Sequence, residues 1–338
     1  SVRSNLAIPQ NDLLPISPNT TDGREYGLHP SMTGLQNLFQ QGNAAFVNNV
    51  GTLVEPVTKS QIDNQTAILP LGLRSHIDQA AHWQTAFPQD RTNTGWGGKM
   101  ADILKSMNTN DEVSMNISLG GNNVFQRGEE VSEFAINNDG GVSVFGYGSP
   151  EPFLDLMTAD ISSMNNKEYE DVFKDSYKGV LKRSINSNEF FNEAIDEVGE
   201  FNTQFSQVNI SRDLRMVAQS IAARSALGAK RQIFFVEMGG FDTHDDLGNQ
   251  HSNLLANLDS ALSEFYAVTE ELGVSDCVTT YTISDFARTL TSNGNGTDHA
   301  WGGNTIVMGG AVKGKDMYGE YPIIGVNTNL ELGGGVLL

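Results

Sequence analysis

A chain of 338 residues can bury a sizeable core, either as one large domain with insertions or as two domains. Hydrophobic residues make up 38% and charged residues 18%, an ordinary globular composition that excludes a disordered chain. A formal charge of −20, from 41 acids against 21 bases, argues against a nucleic-acid backbone or an anionic membrane as the main partner. An anionic substrate would need metal ions or arginines to reverse that field locally.

The single cysteine, Cys277, rules out an internal disulfide framework and a cysteine-based zinc site. Its apolar run (Cys277-Val278-Thr279-Thr280-Tyr281) predicts a small buried core residue. No apolar run reaches the length of a membrane span, so no membrane span is expected. A leader peptide is absent from the chain, as it is from a trimmed exported protein. Both ends read as cut. The chain opens at Ser1 without an initiator methionine and closes on Gly333-Gly334-Gly335-Val336-Leu337-Leu338. An N-terminal strand and a C-terminal tail are therefore expected beyond it.

The first forty residues carry Pro, Asn and turn signals, with a helical run near Met32 to Gln41. Ala44 to Gly51 reads as a short buried strand closed by a glycine turn. Ser75 to Ala86 reads as a helix, with Ser75 able to cap and Pro88 beyond its end. Thr94-Gly95-Trp96-Gly97-Gly98 reads as a loop, and Lys99 to Leu104 opens another helix. Across 112–147 short alternating segments (Val113 to Leu119, Asn123 to Gln126, Val131 to Ile136, Val142 to Phe145) predict an antiparallel β insertion. Residues 150–230 turn mainly helical, with apolar residues at helical spacing in Asn188 to Val198 and Leu214 to Leu227.

Gln232 to Met238 is a near-continuous apolar run, as expected of a central parallel strand. A long amphipathic helix follows, with Leu247, Leu254, Leu258, Leu262 and Phe265 on one face, and Cys277 to Ile283 reads as the next strand. This β-α-β order predicts an α/β fold, a doubly wound, mostly parallel sheet flanked by helices.

In open α/β sheets ligands bind at the carboxyl ends of strands. Asp242 and His244 follow one such strand behind a double glycine, and carboxylate with imidazole suits zinc, manganese or iron. The alternative is that Asp242 or Thr243 caps the following helix. Ser284-Asp285-Phe286-Ala287-Arg288 ends the next strand, where Asp285 would face the same cleft; the alternative is a cap or an Asp285–Arg288 surface pair. Asp298 and His299, flanked by glycines, precede a further strand-like run, Thr305 to Met308. Arg74-Ser75-His76 lies at a helix N-terminus, where the helix dipole favours an anionic ligand and a partly ionised hydroxyl, although Ser75 also suits an ordinary cap. His251 within its helix, and His82 with Trp83, read as structural. A Walker loop and a G-x-S-x-G elbow are both absent, which takes support from nucleotide-triphosphatase and α/β-hydrolase readings.

Taken together, these segments resemble the bacterial domain-of-unknown-function family 1501, whose members are usually exported and belong to the alkaline-phosphatase-like clan. The resemblance runs over nearly the whole chain. It is carried by Leu28-His29-Pro30, Arg74-Ser75-His76-Ile77, Trp83-Gln84-Thr85 and Thr94 to Lys99. It is strongest at Gly239 to His244, Ser284 to Thr289 and Gly296 through Gly310.

The clan implies a bimetal site on a parallel sheet, with a hydroxyl or modified-cysteine nucleophile at a helix N-terminus. By position Ser75 matches the nucleophile, and Asp242 with His244 one ligand pair. Asp285 matches the acid of an Asp-His-Gly turn, and His299 the late metal-binding histidine. Asp298 and His76 complete the expected ligand set. Phe286 stands where the clan usually has a second histidine, and the clan's first-strand carboxylate would precede Ser1.

The expectation is an exported, periplasmic or secreted, metal-dependent hydrolase of phosphate or sulfate esters. Ser75 would attack, and Arg288 or Arg74 would hold the anion. The cofactor would be a divalent metal, zinc or manganese first, with calcium or magnesium as hard-cation alternatives. The substrate would be a small anionic ester or a sulfated or phosphorylated glycan. The rival expectation is a non-catalytic binding or structural protein that keeps the fold.

Overall fold

The computed structural model describes residues 2–142, 144–148 and 151–338. In chain order the elements begin with strands β1 (Leu14–Ile16) and β2 (Tyr26–Leu28), helix α1 (Thr33–Gln41), strand β3 (Ala44–Val50) and helices α2 (Lys59–Asp63), α3 (His76–Thr85) and α4 (Trp96–Leu104). Strands β4 (Asn116–Ser118), β5 (Phe134–Asn137) and β6 (Gly140–Gly141) follow, then helices α5 (Pro152–Asn166), α6 (Val172–Asp196) and α7 (Asn209–Ala222). The chain continues through strand β7 (Ile233–Phe235), helix α8 (Leu247–Glu271) and strands β8 (Thr280–Tyr281), β9 (Gly303–Met308) and β10 (Met317–Tyr318). The protein is thus mixed α/β, with sheets that contain parallel strands. No helix among the described residues is long and apolar enough to cross a membrane.

The chain divides into two compact units, the first comprising the segments up to Trp96, Phe201–Arg215 and Glu237 onward. Its sheet runs β10-β3-β9-β8, with β9 antiparallel to both β3 and β8, and β10 parallel to β3. Ala44, Ala45 and Phe46 of β3 are buried, as the apolar run before Gly51 predicts. Helix α1 lies against α8 and lacks a cap of its own at Met32. The Asp259 carboxylate of α8 supplies one, accepting the backbone N–H groups of Gly34 at 2.9 Å and Leu35 at 2.7 Å. Burial pushes the Asp259 pKa up, and these two hydrogen bonds oppose the rise. Gly34 is required for the approach, because a Cβ there would lie 2.1 Å from Ser263 Oγ.

The second unit comprises Gly97–Glu200 and Met216–Val236. Its sheet runs β6-β5-β4-β7, with β4 parallel to both neighbours. Ile117, Ile136, Phe191, Ile195, Met216 and Leu227 form its core.

Several expectations are corrected here. The 112–147 region is not an antiparallel insertion: only the β5–β6 hairpin is antiparallel. Alternation of apolar and polar residues sets which face is buried but carries no information about strand direction. Asn123–Gln126 forms turns instead of a strand, because the Gln126 side chain bridges the carbonyls of Ile117 and Ile233 while Asn123 Oδ1 accepts the Gln126 N–H. Of the expected strand at 142–145, position 143 lies outside the described residues, and its neighbours are not strand. Helix α4 starts at Trp96, inside the expected loop, with the Trp96 indole N–H donating to the Trp83 carbonyl at 2.9 Å.

The strands before and after α8 do not form one crossover. β7 belongs to one sheet and β8 to the other, and β7 is half-buried. A 3-10 turn over Ser275–Cys277 takes the first residue of the second expected strand, which leaves Cys277 exposed and not in a core.

The C-terminal segment closes the first unit. Val336 packs with Ala300 and Trp301, while the Leu290 and Gly302 N–H groups donate to the Gly335 and Leu337 carbonyls at 2.8 and 3.1 Å. The turn is organised by Glu331, which is 3% exposed and accepts backbone N–H groups from Gly335 at 2.8 Å, Gly333 at 2.9 Å and Asn327 at 3.0 Å.

The Gly335 and Asn327 N–H groups lead in holding the Glu331 pKa below its ordinary value. For a depressed carboxylate the stabilisation is full above the unfolded pKa and is lost as pH falls through the folded value. Glu331→Gln is therefore expected to lower unfolding stability by about 1–3 kcal/mol at neutral pH, with the deficit shrinking below about pH 4. Urea unfolding across that range measures it; a deficit that does not change with pH contradicts the assignment.

Candidate metal centre

Asp242, Thr243 and His244 sit in a tight backbone path, with Thr243 N–H donating to Phe241 O at 2.9 Å and His244 N–H to Asp242 O at 3.2 Å. Thr243 is 2% exposed, and its hydroxyl meets His251 Nε2 at 3.1 Å. The residues on either side, Asp242 and His244, instead turn their side chains toward each other, with His244 Nε2 2.9 Å from Asp242 Oδ1. Helix α8 starts only at Leu247 and is preceded by Asp246, so the capping role considered for Asp242 and Thr243 is not used. The loop carrying His299 passes directly beside this turn: Thr297 N–H donates to Thr243 O at 3.2 Å, and a Cβ at Gly296 would lie 2.2 Å from the His244 carbonyl carbon.

Asp242 is the hub. His299 Nε2 lies 3.0 Å from its Oδ1 and His76 Nε2 3.3 Å from its Oδ2, while His244 Nε2 and His299 Nε2 are 3.1 Å apart. One donor atom each from His76, Asp242 and His299 falls within 4.8 Å of the others, a group that can hold a metal ion. The outer nitrogen of each ring faces an oxygen. His76 Nδ1 meets Asp285 Oδ2 at 2.8 Å, His299 Nδ1 meets the Arg74 carbonyl at 3.0 Å, and His244 Nδ1 lies 3.4 Å from Asp298 Oδ1.

A carbonyl only accepts, so His299 Nδ1 carries a proton; a carboxylate imposes the same on His76. In the neutral rings Nε2 then presents a lone pair toward Asp242. Lone pairs facing a carboxylate at 3.0–3.3 Å are tolerable only with a positive charge between them, as imidazolium protons or as a cation. The pinned outer nitrogens are the arrangement that orients metal-binding histidines. Two imidazole nitrogens and one carboxylate, with the His244 ring beside them, form a nitrogen-rich set that suits zinc, manganese or iron better than calcium, which takes all-oxygen shells.

The electrostatics agree with a shared positive charge. The Asp285 hydrogen bond, followed by the Asp242 charge, raises the His76 pKa against the effect of burial. Burial pushes the Asp242 pKa up, but the Arg288 hydrogen bond and charge, aided by His244 and His299, bring it below the ordinary value. Arg288 reaches Asp242 Oδ1 and the Thr297 carbonyl with its two terminal nitrogens, and Nε meets Thr297 Oγ1 at 3.2 Å. Its guanidinium therefore fastens two site loops together, and it does not form a surface pair with Asp285.

Ser75 is the cap of α3, its hydroxyl accepting the Asp78 N–H at 3.4 Å. Arg74 contributes its backbone: at φ 71° it holds a left-handed conformation that turns its carbonyl to His299. Gln79, fully buried, ties this corner down by accepting the Arg74 N–H and donating to Asp285 O at 3.1 Å. Phe286 is buried and lies against both rings, 4.7 Å from His76 and 4.4 Å from His299 between centroids.

All six expected ligand residues thus meet at one place, with His76, Asp242, His244 and His299 turned inward and Asp285 and Asp298 behind them. Sequence reading missed Gln79, Thr297 and the Arg74 carbonyl. Gln79 had a usable signal, being a polar residue one turn after a capping serine. Arg74 acts through its carbonyl and Thr297 through its backbone and hydroxyl, and neither left one.

The profile of one family, described as a protein of unknown function (DUF1501), matches residues 12–331. The chain belongs to the DUF1501 family. No curated protein and no solved structure matches it. In this DUF1501 protein, Arg288→Met would leave both Asp242 and the Thr297 carbonyl without their donor. Unfolding stability is expected to fall by about 1–3 kcal/mol, measured by denaturant titration. A change within about 0.5 kcal/mol would show that the Arg288 fork does not join the two loops.

Proposed function

We propose that this protein is an exported, metal-dependent hydrolase of phosphate or sulfate esters, built on an alkaline-phosphatase-like fold, with Ser75 as the attacking hydroxyl. The observation that carries the reading is the convergence of three imidazole Nε2 atoms on Asp242, each outer nitrogen facing an oxygen. A divalent cation bound there would supply Lewis acidity, polarising an ester oxygen and favouring ionisation of a nearby hydroxyl.

His76, Asp242 and His299, joined by His244, would hold that cation. Ser75 directly precedes His76 at the positive end of α3, where a developing alkoxide is favoured. Its oxygen accepts the Asp78 N–H, and its own hydroxyl hydrogen-bonds the Asp78 carboxylate, helping Arg91 hold that pKa low. Because the Arg288 fork is engaged with Asp242 and Thr297, the exposed Arg74 guanidinium is the better group to grip an equatorial oxygen. These cationic groups would reverse the repulsion of a chain carrying −20 for a small anionic ester or a sulfated or phosphorylated glycan.

A second reading, a non-catalytic binding protein that keeps the site, is favoured by Phe286 and Arg288. The first walls one side of the rings, and the second spends a cation on Asp242.

Ser75→Asn separates the roles, since Asn caps a helix as well as Ser does. In zinc- or manganese-loaded protein assayed with aryl phosphate and aryl sulfate, Ser75→Asn is expected to keep the metal content and lose turnover on the order of 10³-fold or more. Unchanged turnover overturns the nucleophile. A metal-loaded wild type that hydrolyses neither ester establishes the non-catalytic reading.

A further inference from the structure

Gln79 stands on α3, one turn after the metal-facing His76, and is fully buried. A buried amide has to satisfy both its oxygen and its nitrogen. Gln79 Oε1 accepts the Arg74 N–H, and Nε2 donates to the Asp285 carbonyl at 3.1 Å. A backbone N–H only donates and a carbonyl only accepts, so the amide has a single orientation. Each of these two residues in turn faces a histidine of the metal centre. The Arg74 carbonyl meets His299 Nδ1 at 3.0 Å, and the Asp285 carboxylate meets His76 Nδ1 at 2.8 Å. One side chain thus stands behind the outer contacts of two rings whose inner nitrogens both face Asp242.

Both residues need such a hold. Arg74 sits at φ 71°, in the left-handed region that a non-glycine residue keeps only where its surroundings impose it. Asp285 lies outside regular structure, between the end of β8 at Tyr281 and the start of β9 at Gly303. Its carbonyl is placed by the Gln79 amide and not by a strand ladder. A change at Arg74 or at Asp285 would release one ring, whereas a change at Gln79 would release both.

We propose that Gln79 is a positioning residue of the metal centre: by tying the Arg74 and Asp285 backbones to one amide, it aims the Nε2 atoms of His299 and His76 at a common point before a cation binds. The inference rests on the metal-binding part of the reading above, and not on Ser75 or on the ester. Metal affinity, and not folding stability alone, then depends on this side chain, as it does on other groups that orient metal-binding histidines.

Zinc titration calorimetry on the metal-free full chain tests it, with Gln79→Met as a variant of similar volume that removes both hydrogen bonds. Gln79→Met is expected to weaken zinc binding about 10- to 100-fold. With cobalt(II) bound, its ligand-field spectrum is expected to differ from that of the wild type, because the two rings no longer converge. Thr85→Ala is the control. Thr85 is 3% exposed on the same helix, and its hydroxyl donates to the Ala81 carbonyl at 2.7 Å and accepts the Phe87 N–H at 3.1 Å. This control is expected to lose stability while keeping the zinc affinity and cobalt spectrum of the wild type. Where circular dichroism shows that Gln79→Met does not fold, Gln79→Asn, one methylene too short to reach both groups, is expected to show the same loss. Equal zinc affinity in the wild type and the Gln79 variant overturns the proposal, and so does a loss that Thr85→Ala shares. A wild type that binds neither zinc nor manganese overturns the metal centre and this inference with it.

Discussion

The arrangement of the first unit depends on one electrostatic constraint: three imidazoles are held around the Asp242 carboxylate, which their lone pairs repel when uncompensated. The carboxylate faces His76, His244 and His299 within 3.3 Å, while the outer nitrogens of His76 and His299 are fixed as donors by Asp285 and the Arg74 carbonyl. Positive charge must therefore reside at the centre. Arg288 supplies part of it from one side, and the inward Nε2 atoms leave room for the rest. The loops are shaped by this requirement, since His76, the Asp242–His244 turn, Arg288 and His299 come from separate stretches of chain.

Backbone hydrogen bonds and core burial together keep those stretches in place. The chain from Ala287 to Trp301 folds back on itself through Ala287–Trp301 and Thr289–Asp298 hydrogen bonds at 3.1 and 2.9 Å, and the 330–338 segment is laid over it. Trp301, 2% exposed, anchors the turn by donating its indole N–H to the Thr52 carbonyl at 2.9 Å. His299 and Asp298 are thus positioned by the ladder and by Trp301.

Much of the centre was legible in the amino-acid sequence. Asp242 with His244 and Asp285 follow apolar runs, Asp298 with His299 precedes one, and all of them meet. His76 was visible only as the neighbour of Ser75, because nothing local distinguishes a helix-start histidine that binds from one that is merely solvated. The Arg74 carbonyl was illegible for a deeper reason. Its role arises from a left-handed φ and from a partner 225 positions away, neither of which residue type encodes. Strand direction failed in the same way: the segments of 112–147 alternate as an antiparallel insertion would, yet β4 is flanked by parallel neighbours whose pairing is set by chain path. Cys277 was misplaced because its apolar neighbours suggested a strand where a short 3-10 turn brings it to the surface.

The central claim is that the inward nitrogens of His76, His244 and His299 and the Asp242 carboxylate form a single transition-metal centre. Anomalous scattering at the zinc and manganese edges, on crystals of the chain equilibrated with each ion, tests it most directly. The account predicts one strong peak about 2.0–2.2 Å from the His76 and His299 Nε2 atoms and from an Asp242 oxygen. No peak at this position, or a metal bound elsewhere while Asp242 remains bridged to protonated histidines, would contradict it.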